Sequence, residues 1–477
     1  MILSADFDET VRSLDKSFHT DESFDLIKRE LAVKNGRAVL YYIDGFVKGS
    51  DLQKMLIFLV DLESFGDGQK GAAERFTREH LPDVEVDVTS DDEEIIRSVL
   101  GGCCMMVADG FPGEAVIIDL RSYPSRDVSE NENDRVMRGA CDGFVETLIF
   151  NTALIRRRIR DTSLIMKYVT VGEKSKTDVV IAYIEGTADE KYVEKLTRQL
   201  KAIKTDALPL GHQSLAECLC RRGWWNPLPK VRLTERPDAT AAHILEGGVA
   251  VLCDTSPEAM LLPTSFFDFM QETNDYYFPP VTGSYLRIMR TFVFISTIFI
   301  TPIWYLILRY EEFIPDFLRF LIPEEEGALP IIIQLFLTEF ALDALKLASL
   351  TTPSAMSNSL SIIGGLLIGD YAVKAGWLVP EVIFYMAFTS IANFVQSNYE
   401  LGYTFKFYRL TLLLLSALFG IYGFAVGVIL IILLPAVTHC IGGTSYLYPV
   451  IPWNGSAFAR LFFRKKKANG DGHKRKI

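Results

Sequence analysis

The pattern of hydrophobic and polar positions divides this chain into two parts. Up to about Tyr277 the apolar runs are short and lie between charged stretches, whereas runs of about 20 apolar residues begin near residue 288. A membrane-spanning helix needs about 20 mainly apolar residues. The sequence therefore predicts a soluble α/β region followed by a bundle of transmembrane helices.

A repeated pattern indicates two related α/β subdomains in the soluble region. The runs 38–45 and 179–186 each give an apolar strand, an acidic residue, a glycine and then a helix. Such runs, ending at a turn signal, are typical of strands. Chance similarity remains open, because α/β proteins reuse this unit. The expected division is a polar segment 1–34, subdomain 35–135, a connecting amphipathic helix in 136–169, subdomain 170–280, membrane region 286–438 and a basic tail 439–477.

Four apolar stretches in the second part have lengths that suit membrane helices, at 291–308, 330–350, 378–395 and 410–434. Arg287 and Arg290 precede the first stretch and acidic residues follow it, which favours a cytoplasmic amino terminus. Since the basic tail should also be cytoplasmic, the number of spans should be even, and we predict about four. Gly423 and Gly427 form a small-xxx-small pair that suits close helix packing.

The second apolar stretch carries three charges on one helical face. Glu339, Asp343 and Lys346 are spaced by four and three residues, which places them on one side of a helix. Charges that face lipid are costly, so this face should turn into the bundle or toward water. Two interpretations remain open: an ion path or substrate site, and an ion-pair network that only holds helices together.

Composition argues against several classes of function. The formal net charge of −11 argues against a nucleic-acid partner, because nucleic acid requires concentrated positive charge. The seven cysteines form no C-x-x-C pair, which indicates reduced thiols rather than a metal site. No phosphate loop, nucleophile elbow or triad spacing stands out, so we expect no enzyme activity, cofactor or metal. The polar amino terminus lacks the features of a signal peptide, so the soluble region should stay in the cytoplasm.

The basic cluster at Arg156, Arg157, Arg158 and Arg160 has two interpretations. It could bind a phosphate or a lipid headgroup, or its arginines could pair with acidic residues such as Asp142 or Glu146. The second interpretation makes the cluster structural.

Two motifs stand out in the soluble region. The first runs from residue 138 to the arginine-rich helix end, and the second is Thr-Glu-Arg-Pro-Asp at 234–238. Their residues are Arg138, Gly139, Asp142, Gly143, Phe144, Glu146, Asn151, Arg156, Arg157, Arg158, Thr234, Glu235, Arg236, Pro237 and Asp238. Together these residues resemble the motifs of one family, the A subunits of bacterial spore germinant receptors. Asp275-Tyr276-Tyr277 fits the same family, and Tyr399 to Tyr403 resembles one branch of it. Cys141 departs from the pattern, which has arginine there.

The resemblance implies a non-enzymatic component of the spore germination machinery in the inner spore membrane. It further implies a homo-oligomer that helps ions leave the spore, works with other spore germination membrane proteins and uses its motif residues for structure or assembly. The alternative is a self-contained membrane transporter with a regulatory cytoplasmic domain. Such transporters usually have more spans and a repeat within the membrane region.

Overall fold

Two five-stranded antiparallel sheets form the amino-terminal half of this computed structural model. The structure describes residues 3–81, 85–121, 139–220, 225–324, 327–351, 362–396 and 398–463. The first sheet contains β1 (Leu26–Val33), β2 (Gly36–Ile43), β3 (Val86–Thr89), β4 (Cys104–Ala108) and β5 (Ala115–Ile118) in the order β1-β2-β4-β5-β3. The second contains β6 (Leu164–Val171), β7 (Thr177–Ile184), β8 (Arg232–Thr234), β9 (Val249–Cys253) and β10 (Ala259–Leu262) in the order β6-β7-β9-β10-β8.

Each sheet carries four helices in equivalent chain positions. The first unit has α1 (Phe7–Phe18), α2 (Gly49–Val60), α3 (Ala72–His80) and α4 (Asp92–Leu100). The second unit has α5 (Leu148–Arg158), α6 (Glu190–Lys201), α7 (His212–Leu219) and α8 (Pro237–Leu245). Both units therefore run helix, two strands, two helices, strand, helix, two strands, so the repeated pattern extends over the whole unit rather than one strand and turn.

Apolar side chains cover both faces of the first sheet, because successive residues of a strand point to opposite faces. In β2, Val39 and Tyr41 belong to one apolar core, whereas Leu40 belongs to the core on the other face. Helices α1 and α4 cover the first core, and α2 and α3 cover the second. This double burial explains why β2 reads as a continuous apolar run.

Two segments differ from the expectations drawn from the pattern. Segment 1–34, predicted as a polar segment, contains β1 in addition to α1, and β1 pairs with β2 along its whole length. The connecting helix expected within 136–169 begins only at Leu148 and ends at Arg158. Its Ile155 lies in the core of the second unit and its Ala153 in that of the first, so α5 packs between the two units.

Helices fill the carboxy-terminal half of the described chain. They are α9 (Asn274–Tyr277), α10 (Pro280–Arg309), α11 (Ile331–Thr351), α12 (362–374, with a π-helical part at Leu366–Tyr371), α13 (Pro380–Phe394), α14 (Tyr399–Val437) and α15 (Gly455–Phe462). Among the described residues, α10 and α14 are long and apolar enough to cross a membrane. Only 33% and 17% of their most apolar windows are buried, so much of this apolar surface is exposed, which is unusual for a soluble monomer.

Helix α14 reverses direction at Gly420, so the stretch 410–434, predicted as one span, is not a single straight helix. Gly420 has a φ of 61° and a ψ of −138°. A Cβ atom on Gly423 would overlap the carbonyl oxygen of Leu415, and one on Gly427 would lie 2.7 Å from Leu412 Cδ2. These approaches require the arms 399–419 and 421–437 to run back along each other as a helical hairpin.

Replacing Gly420 by alanine should destabilise the hairpin by about 1–3 kcal/mol, because a side chain strains this backbone conformation. The new Cβ atom would also overlap the Tyr310 hydroxyl. Thermal unfolding of the full chain in detergent measures the effect. The matched control is Gly365→Ala, since Gly365 is an exposed helical residue with open space at its Cβ position, where alanine favours the helix. Equal melting temperatures for the two variants would contradict the strained turn.

Candidate functional site

Four charged side chains meet where α11 packs against the first arm of α14, and we call them the charge cluster: Glu339, Asp343, Lys406 and Arg409. Arg409 Nη2 donates to both carboxylate oxygens of Glu339 at 2.8 and 2.7 Å. Lys406 Nζ lies 3.4 Å from Glu339 Oε1 and also pairs with Asp343. Two positive and two negative charges therefore neutralise one another.

The charge cluster joins three helices and is open on one side. Arg409 also donates to the carbonyl oxygen of Thr297 on α10 at 3.3 Å. The side chains of Arg409 and Glu339 are 1% and 11% exposed, whereas that of Asp343 is 37% exposed. Asp343 is therefore the member that a neighbouring molecule or an ion can reach.

Lys346, the third charge of the predicted face, lies apart from the cluster. Its Nζ atom is 5.0 Å from the ring centroid of Tyr403, 5.6 Å from that of Tyr399 and 5.8 Å from that of Phe394. These distances are within the range of cation–π attraction. The structure thus brings two of the three predicted charges together and holds the third among aromatic rings.

The prediction missed Lys406 and Arg409, the partners of the two carboxylates. Their spacing of three residues at the start of an apolar stretch was a usable signal, because it places both on one helical face. The predicted last span began only at residue 410, so both residues fell just before it.

A second group of charges joins the second unit to the first long helix, and we call it the junction network: Glu272, Asp275, Arg287 and Arg290. Arg290 donates to Asp275 at 2.8 Å and to Glu272 at 2.6 Å, and Arg287 Nε lies 3.4 Å from Asp275. Asp275 is completely buried. The two arginines that suggested a cytoplasmic entry to the membrane thus also fix the start of α10 to the segment before it.

The two family motifs come together beside the junction network. The Phe144 N–H donates to the Glu235 carbonyl oxygen at 2.8 Å, and Arg236 Nη2 donates to the Ala140 carbonyl oxygen at 3.1 Å. The Tyr277 hydroxyl donates to Asp238 Oδ2 at 2.6 Å. The motifs and the Asp-Tyr-Tyr segment therefore form one structural joint.

Electrostatics and close packing hold this joint. Burial alone would raise the pKa of Asp238, but hydrogen bonds from Arg236 and Tyr277 and the charge of Arg236 outweigh it and hold that pKa below its usual range. Burial and the Asp238 carboxylate raise the pKa of Tyr277. Gly139 has a φ of +128°, and a Cβ atom there would overlap the Tyr277 ring. A glycine is thus needed where the ring approaches the backbone.

The remaining motif residues have structural contacts in the described chain. Asn151 is buried and its Oδ1 accepts from the Val145 N–H at 2.8 Å. The others make backbone or turn contacts: the Glu146 carbonyl oxygen accepts from Thr255, Thr234 Oγ1 accepts from the Arg236 N–H, Pro237 begins α8, and Gly143 is buried in the loop. Arg138 lies outside the described residues.

The arginine-rich end of α5 contains two ion pairs. Arg156 donates to Asp25 at 2.9 and 3.1 Å, and both side chains are 1% exposed. Arg158 donates to Asp142 at 2.6 Å, while Arg157 is exposed. Because Asp25 precedes β1 and Arg156 lies in the last turn of α5, the first pair ties the two units together.

The segment after the hairpin, residues 438–447, docks on the second unit, and we call it the hook. The Tyr192 hydroxyl and Lys195 Nζ on α6 donate to the carbonyl oxygens of Ile441 and Gly442 at 2.9 and 2.6 Å. Ile441 lies in the apolar core of the second unit. The end of the helical hairpin is therefore anchored to the sheet-bearing region.

Comparison with known proteins confirms the family that the motifs indicated. The family model described as Bacillus/Clostridium GerA spore germination protein matches residues 12–473, and the chain belongs to this family. Stage V sporulation protein AF of Bacillus subtilis (strain 168) is 36% identical over 445 residues, which cover 93% of this chain and 90% of that protein. The Tyr399 to Tyr403 stretch indicated the branch to which this relative belongs.

Two further similarities extend the comparison. The uncharacterized membrane protein YfkQ of Bacillus subtilis (strain 168) is 29% identical over 452 residues, covering 93% of this chain and 86% of that protein. The crystal structure of the N-terminal domain of the A subunit of the Bacillus megaterium spore germinant receptor GerK3 aligns with a TM-score of 0.42 and 23% identity, covering 55% of this chain and 97% of that domain.

Proposed function

We propose that this protein is a non-enzymatic membrane component of the spore germination machinery. Membership of the GerA family supports the role in germination. The observation that carries the membrane role is the charge cluster, which is paired inside a set of helices whose outer surfaces are apolar and exposed. Charged groups inside a bilayer are expected to face the bundle and pair in this way.

The proposed membrane region crosses the bilayer an even number of times. Both ends of α14 lie beside the same loop of the second unit, because Thr404 donates to the Pro227 carbonyl oxygen and Asn226 donates to Thr438. Arg309 at the end of α10 donates to the carbonyl oxygen of Ser416 near the hairpin tip at 2.7 Å. The two arms of the hairpin therefore count as two separate crossings in this proposal, the total stays even, and both termini are cytoplasmic.

We further propose that copies of the chain assemble into an ion-channel-like homo-oligomer, working with other spore germination membrane proteins. Within one chain the cluster charges satisfy one another, so a path for ions through the paired groups would be blocked. The exposed edge of Asp343 instead supports a path at the surface of the helices, where a second copy would form the other wall. A conformational change in the sheet-bearing region would be transmitted to these helices through the junction network and the hook.

Charge-neutralising changes test the ion path. Asp343→Asn should change the rate of ion release from germinating spores by about tenfold, since an altered barrier of about 1.4 kcal/mol has that effect. Glu339→Gln should act in the same direction but also weaken folding, because Glu339 is more deeply buried. Ion efflux is measured in spores that carry each variant at the normal protein level.

The control for the ion path is Asp370→Asn, which removes a carboxylate from an exposed pair with Lys374 and should leave release unchanged. If spores with Asp343→Asn release ions at the normal rate and contain the normal amount of protein, the charge cluster has only a structural role. The oligomer is tested separately by the mass of the full chain in detergent, and a monomer would contradict the channel.

A further inference from the structure

Three side chains that can bind a metal converge at the boundary between the two sheet-bearing units. His19 follows the end of α1 and Glu22 lies three residues later, while Glu185 follows β7 of the second unit. One nitrogen or oxygen atom from each lies within 4.8 Å of the other two. Because the third residue comes from the other unit, no linear metal-binding motif marks this group.

The spacing of the donor atoms fits a shared cation. His19 Nε2 lies 3.4 Å from Glu185 Oε2, which is longer than an ordinary N–H···O hydrogen bond. Two ligands that each lie about 2.1 Å from a tetrahedral metal ion are about 3.4 Å apart. The pair therefore has the separation of two ligands of one ion.

Negative charge accumulates at this boundary. Glu22 and Glu185 bring two carboxylates together here, beside the imidazole of His19. Among the described residues, the ion pairs join neither Glu22 nor Glu185 to a lysine or an arginine. A divalent cation would neutralise the two carboxylates.

We propose that His19, Glu22 and Glu185 bind a first-row divalent metal ion that links the two units. A set of one imidazole nitrogen and two carboxylates suits Mn²⁺ or Zn²⁺, whereas Mg²⁺ and Ca²⁺ prefer oxygen ligands alone. The same boundary is already joined by the Arg156–Asp25 pair and by the Phe24 N–H, which donates to the Met166 carbonyl oxygen at 3.1 Å. The ion adds a further tie there, and its role goes beyond the proposed function in ion release.

Binding of Mn²⁺ to the full chain in detergent tests this site, after bound metal has been removed with a chelator. Free Mn²⁺ is measured by electron paramagnetic resonance, and thiols contribute little because Mn²⁺ favours oxygen and nitrogen ligands. We expect one ion per chain, with Zn²⁺ competing and excess Mg²⁺ not. The double variant His19→Gln/Glu185→Gln should weaken binding at least tenfold, and Glu22→Gln should weaken it less.

The matched controls are His212→Gln, which alters a histidine that pairs with Glu258 at 2.8 Å, and Glu190→Gln, which removes a nearby carboxylate outside the triad. Both should bind Mn²⁺ like the unmodified chain. Thermal unfolding in the presence of chelator establishes that each variant is folded. If the double variant does not fold, the Mn²⁺ affinity of Glu22→Gln decides whether the triad binds the ion. Unchanged Mn²⁺ binding in the triad variants, or no binding by the unmodified chain, would leave only an ion pair between His19 and Glu185.

Discussion

Arg409→Met should lower the free energy of unfolding by about 3–5 kcal/mol, the cost of removing one partner from a buried ion pair. Arg409 and Glu339 are 1% and 11% exposed and share two hydrogen bonds. Methionine fills a similar volume, so the loss comes from the Glu339 carboxylate, which keeps only Lys406 at 3.4 Å. Chemical or thermal unfolding of the full chain in detergent measures this difference.

A second substitution distinguishes the cost of the unpaired Glu339 carboxylate from the cost of losing the Arg409 side chain itself. Adding Glu339→Gln to Arg409→Met should recover part of the stability, because the double variant no longer buries a poorly compensated carboxylate. Lys374→Met is the control, since Lys374 and Asp370 form an exposed pair of a kind that contributes less than about 1 kcal/mol. If Arg409→Met is no more destabilising than this control, the cluster does not hold the helices together.

Asp275→Asn should have the second largest effect, again about 3–5 kcal/mol, because it leaves two buried arginines with less negative charge. Asp275 is completely buried between Arg287 and Arg290. The loss should act on the junction between the second unit and α10. Limited proteolysis between residues 271 and 280, together with thermal unfolding, detects a junction that opens before the rest of the protein.

The control for the junction is Asp316→Asn, which removes a carboxylate from an exposed pair with Arg319. It should change neither the protease pattern nor the melting temperature. If Asp275→Asn also leaves both unchanged, the junction network is dispensable and the sheet-bearing region communicates with the helices through the hook.

The division of the chain and the repeated unit were visible in the sequence because both are local patterns. Strands β2 and β7 are apolar runs that are buried on both faces, and such runs stand out. Strand β1 did not, because it is an edge strand that pairs with β2 and carries Lys28, Arg29 and Glu30 at its partly or fully exposed positions. Because of these charges, the sequence predicted a polar segment where the strand lies.

The contacts that define the sites could not be read in the same way. Three ion pairs form only when the chain folds, because their partners are far apart in sequence: Glu339 with Arg409, Arg156 with Asp25, and His19 with Glu185. Spacing along a helix predicts which side chains share a face, but not which face lies opposite. The turn at Gly420 was missed for a different reason: hydropathy is continuous across it, whereas the reversal depends on a positive φ that glycine adopts readily.

If the chain is the membrane protein proposed above, the pairing of α11 with the first arm of α14 also constrains the order in which its helices enter the bilayer. On insertion scales a lysine or arginine at the centre of a lone helix costs about 2.5–3.5 kcal/mol, so an arm with Lys406 and Arg409 enters lipid poorly by itself. Helix α11, which carries the compensating carboxylates, is synthesised first. In the proposed membrane protein, insertion of the hairpin therefore depends on α11, the helix that is made before it.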